Sequence, residues 1–447
     1  MEARAGVAIH GGFHYREARI VAEFEIAVAR DHTVGGGFAA LARGFASGEE
    51  NCGGEDREKN GNECFHIKKL GRNPPLANFD KYLKIQIFAA IQKTVVVQLC
   101  RRRQQPEHLK FFPMECEVMI VGAGLCGLHA AARLQATGRS VLVLEKSRGL
   151  GGRAATRRWN NLPVDHGAQF FTAKNPAFAE QVARWEKAGI CHEWTRGFHR
   201  FAEGKLHDPA EDSHSRYACR AGMSSLGRAL GEPLGDIIHR EAKVIRLGVV
   251  NGLRQATLED GRLLHARSLL LTPPPPQSSA LLADVAPEAI AEITQHRSLP
   301  CLAVGARFSR TELSWQGIQA PDDAVLTWIG HDTSKRPKLH PDCTILMLHA
   351  SPDFSTANAS APDEEIIAAL LRRASEMTSR DWTAPAGVFL QRWRYALPAP
   401  GGSPRGTAVY STPAPLVVAG DWCAGGRIEG AWLAGRDAAD QLLGLLR

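Results

Sequence analysis

No stretch of this 447-residue chain offers the roughly 20 uninterrupted apolar residues that a membrane-spanning helix needs. The best candidate, residues 85–100, is broken by Gln86, Gln92, Lys93 and Gln98. The ten cysteines include no CxxC pair and no dense framework, so free thiols in a reducing compartment, the cytoplasm, are expected in place of a secreted disulfide scaffold. The 17 histidines show neither HExxH nor paired Cys/His spacing, and no metal centre is expected. A serine-hydrolase elbow also fails, since G-x-S-x-G would need glycine where Leu226 stands after Gly222-Met223-Ser224-Ser225. Solenoid-length repeats are absent. Glu2, Glu17, Glu23, Glu25 and Asp31 interrupt the opening residues and leave no signal-peptide core or transit-peptide pattern. Neither charge sign dominates: 54 Lys+Arg oppose 47 Asp+Glu, and a net +7 is too dilute for a nucleic-acid surface, the local Arg101-Arg102-Arg103 cluster notwithstanding.

What remains is ordinary globular material. Hydrophobic residues make up 44% and charged residues 23%, over a length that suits two domains with buried interiors. Texture changes near residue 114. Upstream lie Gly35-Gly36-Gly37, a polar patch over 49–62 and Pro74-Pro75, with no recognisable motif. Residues 1–113 are either a poorly ordered extension with an amphipathic piece around 77–99, or lie ahead of a natural start at Met114. The second reading is preferred, because dinucleotide-binding chains commonly open directly into their first strand.

Residues 116–121 read as a buried parallel strand, Gly122-Ala123-Gly124-Leu125-Cys126-Gly127 as a turn, and 125–137 as an alanine-rich helix ending at Gly138. In such a unit Gly122 permits the tight turn, Gly124 lets a pyrophosphate approach the backbone, and Gly127 lets helix and strand pack closely. A second apolar strand, 141–145, ends in Glu145. A helix of about 13 residues climbs roughly 20 Å and the strand returns roughly 17–20 Å. Glu145 therefore comes back to the glycine turn, where a carboxylate accepts two hydrogen bonds from a ribose diol. Next comes Lys146-Ser147-Arg148-Gly149-Leu150-Gly151-Gly152-Arg153, a second glycine loop rich in cations, suited to a second anionic contact.

The pairing of a GxGxxG unit ending in Glu with a following GGR loop resembles the FAD-binding fold of the flavin amine oxidase superfamily. That resemblance implies a Rossmann-like α/β domain with an α+β substrate domain, in which Gly122, Gly124, Leu125, Cys126, Gly127, Glu145, Lys146, Arg148, Gly152 and Arg153 surround the ADP and ribityl portions of FAD. The far end of the chain supplies a matching half: residues 415–421 read as a strand, and Ile428-Glu429-Gly430-Ala431 opens a helix to Leu446. Gly420, Asp421, Glu429, Gly430 and Ala431 are expected at the cofactor, Asp421 on ribityl hydroxyls or pyrophosphate water and the helix N-terminus toward the flavin. The same resemblance places the backbone of Val244, in a strand over 243–247, at the adenine, and returns the chain to the FAD domain at 269–273. The Ser-Gly-Gly-Cys-Tyr tether of covalently flavinylated relatives is missing, and Cys423 lacks its context, so FAD is expected to be noncovalent.

Val164-Asp165-His166-Gly167-Ala168-Gln169-Phe170-Phe171-Thr172 resembles, more narrowly, the renalase-like FAD-dependent oxidoreductases, whose D-x-G-A-Q segment passes beside the isoalloxazine. Gln169 either hydrogen-bonds flavin or substrate or shapes the backbone, and His166, at a variable position, receives no chemistry. Trp393 and Tyr395 alternate with arginines at strand spacing and either wall the substrate pocket or pack in the core. The FAD domain is expected from 114–175, 235–300 and 405–447, and the substrate domain from 176–234 and 301–404. The expected activity is hydride transfer from a small donor, a dihydronicotinamide of the renalase-like kind, with dioxygen as acceptor. An amine donor and a non-catalytic FAD-stabilised binding protein are the alternatives. No catalytic side chain stands out.

Overall fold

The computed structural model describes residues 115–209, 214–339, 342–399 and 406–447. The expectations for 1–113, including the amphipathic piece and the arginine cluster, lie outside the described residues. Five parallel strands form the first sheet's centre, in the order β19 (Leu416–Val418), β12 (Leu263–Leu271), β1 (Glu115–Val121), β2 (Val141–Leu144) and β9 (Ile238–His239). Strands β10 (Val244–Val250) and β11 (Leu253–Leu258) extend it as an antiparallel meander, and β18 (Ala408–Tyr410) pairs with β19 to complete eight strands. β12 changes partner along its length: residues up to Ala266 face β11, whereas Leu269 to Leu271 face β19. Val118, Met119 and Ile120 are shut from solvent, as an unbroken apolar strand covered on both faces requires.

Helix α1 (Leu125–Ala136) links β1 to β2 and ends where Gly138 adopts φ +82°. Against it lies α8 (Arg427–Leu445), which starts one residue before the expected Ile428. The expected strand over 415–421 shortens to β19, because Gly420 leads into a 3-10 turn (Asp421–Ala424). α1 and α8 meet closely. The His129 ring stacks on Trp432 at 4.0 Å, Arg133 pairs with Asp440 at 2.6 Å, and a Cβ on Gly435 would sit 2.3 Å from the Cys126 carbonyl oxygen.

The second sheet has seven strands in the order β17 (Gly387–Pro398), β13 (Ser298–Ser309), β16 (Cys343–Ala350), β15 (Leu326–His331), β14 (Gly317–Gln319), β6 (His199–Ala202) and β7 (Lys205–His207). One face packs Leu302, Val304, Leu346 and Leu348 with Leu370 and Leu371 of α7 (Asp363–Thr378). The other packs Ala303, Ile345 and Met347 with Val164 of the hairpin β3 (Thr156–Trp159)–β4 (Leu162–Asp165). A third cluster joins α2 (Pro176–Lys187) and α3 (Ser224–Gly231) to the pair β5 (Cys191–Thr195)–β8 (Arg216–Cys219). Helices α4 (Pro275–Leu282), α5 (Pro287–Ile293) and α6 (Pro352–Ala357) complete the α-helices among the described residues. Strands from 115–144, 238–271 and 408–418 thus share one sheet, and strands from 199–207 and 298–398 share the other. Among the described residues no helix is long and apolar enough to cross a membrane.

The α1–α8 contact leaves no room for a methyl at position 435. Gly435→Ala should destabilise the protein by about 1–3 kcal/mol, read as a lower thermal midpoint. Gly444→Ala, on the same helix with open space around it, should raise stability by up to about 1 kcal/mol.

Candidate active site

The parallel strands of the first sheet all end at one edge, the place where open α/β sheets bind ligands. β1 runs out into Gly122, β2 into Glu145, β12 into Thr272 and β19 into Ala419 and Gly420. Gly122 takes φ +102° and a Cβ there would strike Thr272 Oγ1 at 2.5 Å; on Gly127 it would lie 2.0 Å from the Gly122 carbonyl oxygen. Both glycines are therefore required by packing. Gly124 differs: a Cβ there meets nothing within 4 Å, so the space before α1 is open. Gly124 caps α1 without any side-chain hydrogen bond, and the first N–H groups of a helix, here from Leu125 onward, have no partner within it.

Glu145 is buried beside this turn. Its Oε2 accepts the Ala123 N–H at 2.8 Å and its Oε1 the Ser147 N–H at 2.8 Å, so both oxygens are oriented by backbone. The Glu145 carbonyl accepts the Ala242 N–H at 2.9 Å, which brings the start of β10, with Val244, to the same neighbourhood. The second glycine loop lies alongside the first through a parallel bridge between Gly124 and Gly151, with Gly151 N–H donating to the Ala123 carbonyl at 2.9 Å. Gly152 adopts φ +59°, and Lys146 and Arg148 are exposed on the preceding turn.

Arg153 ties these turns to the distant C-terminal half. One of its amino groups donates to Asp421 Oδ1 at 2.7 Å and the other to the Ala396 carbonyl of β17 at 3.2 Å. Asp421 follows Gly420 in the turn ahead of α8, whose own N-cap, Gly426, also lacks a side-chain cap. Gly430 sits in the first turn of α8, where a Cβ would crowd the Ala424 carbonyl at 2.6 Å, and Ala431 is half-buried beside it. Glu429 is turned elsewhere. Its Oε1 accepts the N–H groups of Lys174 and Asn175 at 2.8 and 2.6 Å, fastening α8 to the chain entering α2.

Beyond Arg153, the chain from Asp165 to Phe171 lies on the second sheet. Trp328, His349, Ala303 and Gln391 stand opposite one another across β15, β16, β13 and β17, so their side chains share one face. Trp393, two residues past Gln391, joins that face. His166 stacks on Trp393 with ring centroids 5.4 Å apart and planes 15° apart, and Trp393 Nε1 donates to the His166 carbonyl at 2.8 Å. At the other end Phe170 lies 5.5 Å from Trp328 and 4.7 Å from Phe198, within an aromatic group that Trp194 extends. The expected alternation of Trp393 and Tyr395 is interrupted. Register between β13 and β17 shifts between Cys301/Trp393 and Leu299/Leu397, so Tyr395 and Ala396 lie in an irregular stretch that turns the Ala396 carbonyl to Arg153.

Under the Asp165 segment lies a wholly buried group of four charges. Lys335 Nζ bridges Asp165 Oδ2 at 3.3 Å and Asp332 Oδ1 at 2.9 Å, while Arg336 donates to Asp165 Oδ2 and, at 3.4 Å, to Asp332 Oδ2. Asp165 Oδ1 accepts the Thr156 hydroxyl at 2.7 Å and the Met223 N–H at 2.8 Å. Burial pushes the Asp165 carboxyl up, but Arg336, Lys335 and these donors prevail and hold it below its ordinary value. The two carboxylates and two cations sum to no net charge. Gln169 belongs to this group: its Nε2 donates to the Asp165 and Gly167 carbonyls at 2.6 and 3.1 Å, and its Oε1 accepts from Lys335 at 3.1 Å. With both ends engaged, the Gln169 amide shapes the backbone.

The imidazoles nearby are neutral. Burial, then the Arg157 charge, push His166 down to about 4. Burial, then Lys335 and His166, push His349 down to about 3. His166 Nδ1, His349 Nε2 and Trp328 Nε1 are closed off from water and have no hydrogen-bond partner. None of Asp332, Lys335, Arg336, His349 or Trp328 stood out in the sequence. Asp332-Thr333-Ser334-Lys335-Arg336 has the composition of a solvated turn, and its burial depends on an aspartate 167 positions away.

Two glycine turns side by side, open space at Gly124, uncapped starts of α1 and α8, a carboxylate oriented by backbone at Glu145 and one held by Arg153 at Asp421 fit a dinucleotide whose pyrophosphate lies between the helix starts. All seven cysteines among the described residues are free and buried. Cys423 is one of them, and burial pushes its thiol far up.

Residues 120–185 match the NAD(P)-binding Rossmann-like domain family, and residues 191–443 match the flavin containing amine oxidoreductase family. The Mycobacterium tuberculosis protein AofH is 43% identical over 58 residues, 13% of each chain. The FAD-dependent oxidoreductase oblC of Cochliobolus heterostrophus is 55% identical over 40 residues, 9% of this chain and 8% of its own. The chain thus spans no more than about an eighth of either relative. Among solved structures, putrescine oxidase bound to putrescine aligns with TM-score 0.59 and 15% identity, covering 74% of this chain and 99% of its own. Cyclohexylamine oxidase from Brevibacterium oxydans aligns with TM-score 0.57 and 13% identity, over 74% and 99%. These likenesses show the fold: a mixed α/β protein with a Rossmann-like dinucleotide-binding part and an amine-oxidase-type substrate part.

Removing one member of the buried group leaves uncompensated charge, so Asp165→Asn should cost about 3–5 kcal/mol in a denaturant titration. The imidazoles set an acid limit. With folded values near 4 and 3 against an ordinary 6.5, the unfolded chain binds more protons than the folded one below 6.5. Stability should therefore be full above pH 6.5 and fall as pH drops toward 4. His166→Phe should flatten that decline in thermal melts across the window.

Proposed function

The chain belongs to the flavin containing amine oxidoreductase family, and from that premise we propose that it is an FAD-dependent oxidase of small amines. The bound flavin supplies the hydride-accepting chemistry. The amine loses a hydride from the carbon beside nitrogen and a proton from nitrogen to become an imine, and dioxygen is reduced to hydrogen peroxide. FAD is held noncovalently in this reading. Gly122, Gly124, Leu125, Cys126 and Gly127 form the pyrophosphate turn, Glu145 takes the ribose, and Val244 takes the adenine through its backbone. Lys146, Arg148, Gly152 and Arg153 lie along the second glycine loop. Gly420, Asp421, Gly430 and Ala431 complete the site from the C-terminal side, while Glu429 serves the scaffold.

One observation carries the choice of donor. The ionised groups around Asp165 neutralise one another, His166, His349, Trp328 and Trp393 on the adjoining sheet face are uncharged, and the charges that approach this face, Arg157 over the Phe389 ring and Arg216 over the Phe198 ring, have the same sign as an ammonium. Moving an unpaired ammonium into such surroundings is costly, so the face favours the free amine. This chain's part is then to exclude water, select the uncharged form and fix its orientation. A second reading, oxidation of a dihydronicotinamide, is supported by the likeness of the Asp165–Thr172 stretch to the renalase-like group. That donor also needs no protein base.

Anaerobic mixing separates the readings. Bleaching of the flavin band by benzylamine or a short diamine supports amine oxidation; bleaching by dihydronicotinamides alone overturns it in favour of the second reading. A yellow protein reduced by neither would be an FAD-stabilised binding protein. Below the amine's own pKa its free form rises about tenfold per pH unit, and the apparent KM should fall by about tenfold for each unit between pH 7 and 9.

A further inference from the structure

We propose that His166 and His349 are the substrate-binding pair of this enzyme, their unpartnered ring nitrogens accepting the N–H groups of an uncharged primary amine with an apolar body. The inference rests on the amine-oxidase reading and names the residues that recognise nitrogen.

Three observations support it. First, His349 lies on the sheet face between Trp328 and the Gln391–Trp393 strand, and His166 is laid on that face by its stack on Trp393. The two rings come from separate parts of the chain and meet one surface. Second, each carries a ring nitrogen closed off from water without a partner, His166 Nδ1 and His349 Nε2. Buried polar atoms are normally paired, and these two ring nitrogens, on the face that also carries the unpartnered Trp328 Nε1, mark a place where a donor belongs. Third, neither ring is recruited by the charges below. Lys335 spends its ammonium on Asp165, Asp332 and Gln169, and Arg336 on the two carboxylates.

The face lies close to the dinucleotide cradle. Ala396, whose carbonyl Arg153 holds, is three residues beyond Trp393 on β17, at most about 10 Å along the chain. A neutral imidazole acceptor suits an amine better than a carboxylate does, because a carboxylate would stabilise the ammonium form, from which hydride departure is blocked. Primary amines present two N–H donors to the two acceptors, secondary amines one, and a hydrocarbon of equal shape none.

The test uses the FAD-loaded full chain and paired substitutions. His166→Phe keeps the ring on Trp393 but removes the acceptor, whereas His166→Asn retains an acceptor near the Nδ1 position. His349→Phe and His349→Gln form the corresponding pair for Nε2. The expected result is that each Phe variant raises the KM for benzylamine about tenfold or more, as loss of one buried hydrogen bond would, with a smaller change in kcat. The Asn and Gln variants should recover most of that loss. Inhibition by ethylbenzene, which has the same body without the N–H groups, should be unchanged in all four. Phe variants that retain yellow FAD and the wild-type KM overturn the inference and leave amine oxidation standing, as do losses that ethylbenzene binding shares equally. A wild-type enzyme that no amine reduces overturns both. Should one Phe variant fail to hold FAD, the other pair decides the outcome.

Discussion

A single guanidinium joins the parts of this protein that matter. Arg153 leaves the second glycine loop, meets Asp421 ahead of the C-terminal helix and holds the Ala396 carbonyl at the end of β17. Three stretches that are remote in sequence therefore share one point at the edge of the first sheet. The pair is half open to solvent on the arginine side, so its importance is geometric more than energetic. It aligns the two glycine turns with the start of α8 and fixes where the second sheet's outer strand meets the cradle.

The second sheet is governed by a different constraint. Four charges buried without water are tolerable only if every one is paired, and Asp165, Asp332, Lys335 and Arg336 achieve this with help from Thr156, Met223 and Gln169. With these groups paired among themselves, the adjoining sheet face carries Trp328, Trp393 and the imidazoles of His166 and His349, with the Arg157 guanidinium 4.5 Å over the Phe389 ring. Under the amine-oxidase proposal the donor has to arrive uncharged, since the ammonium form has no lone pair to assist hydride loss.

Much of the cradle was legible because each part has a local cause. Gly122 and Gly127 are compelled by close backbone contacts, Gly124 by the space it leaves open, and Glu145 by the length of one helix against one strand. The substrate side was less legible, for reasons of the same kind. A run such as Asp332 to Arg336 looks solvated until a distant aspartate buries it. Trp393 and Tyr395 follow strand alternation only until a register shift intervenes. Gln169 and Glu429 have side chains suited to a cofactor, yet the Gln169 amide is engaged by the Asp165 and Gly167 carbonyls and by Lys335, and Glu429 Oε1 by two backbone N–H groups. His349 lies in an apolar strand that marks it as core, and only the register across four strands brings it to His166.

The most direct measurement of the central claim is a crystal structure of the FAD-loaded protein with a slowly reacting primary amine. Pyrophosphate density is expected against the backbone between Gly124 and Cys126, and the amine nitrogen within hydrogen-bonding distance of His166 Nδ1 or His349 Nε2. Cofactor density away from the glycine turns, or an amine bound with its nitrogen among the Asp165 carboxylate group, would contradict it.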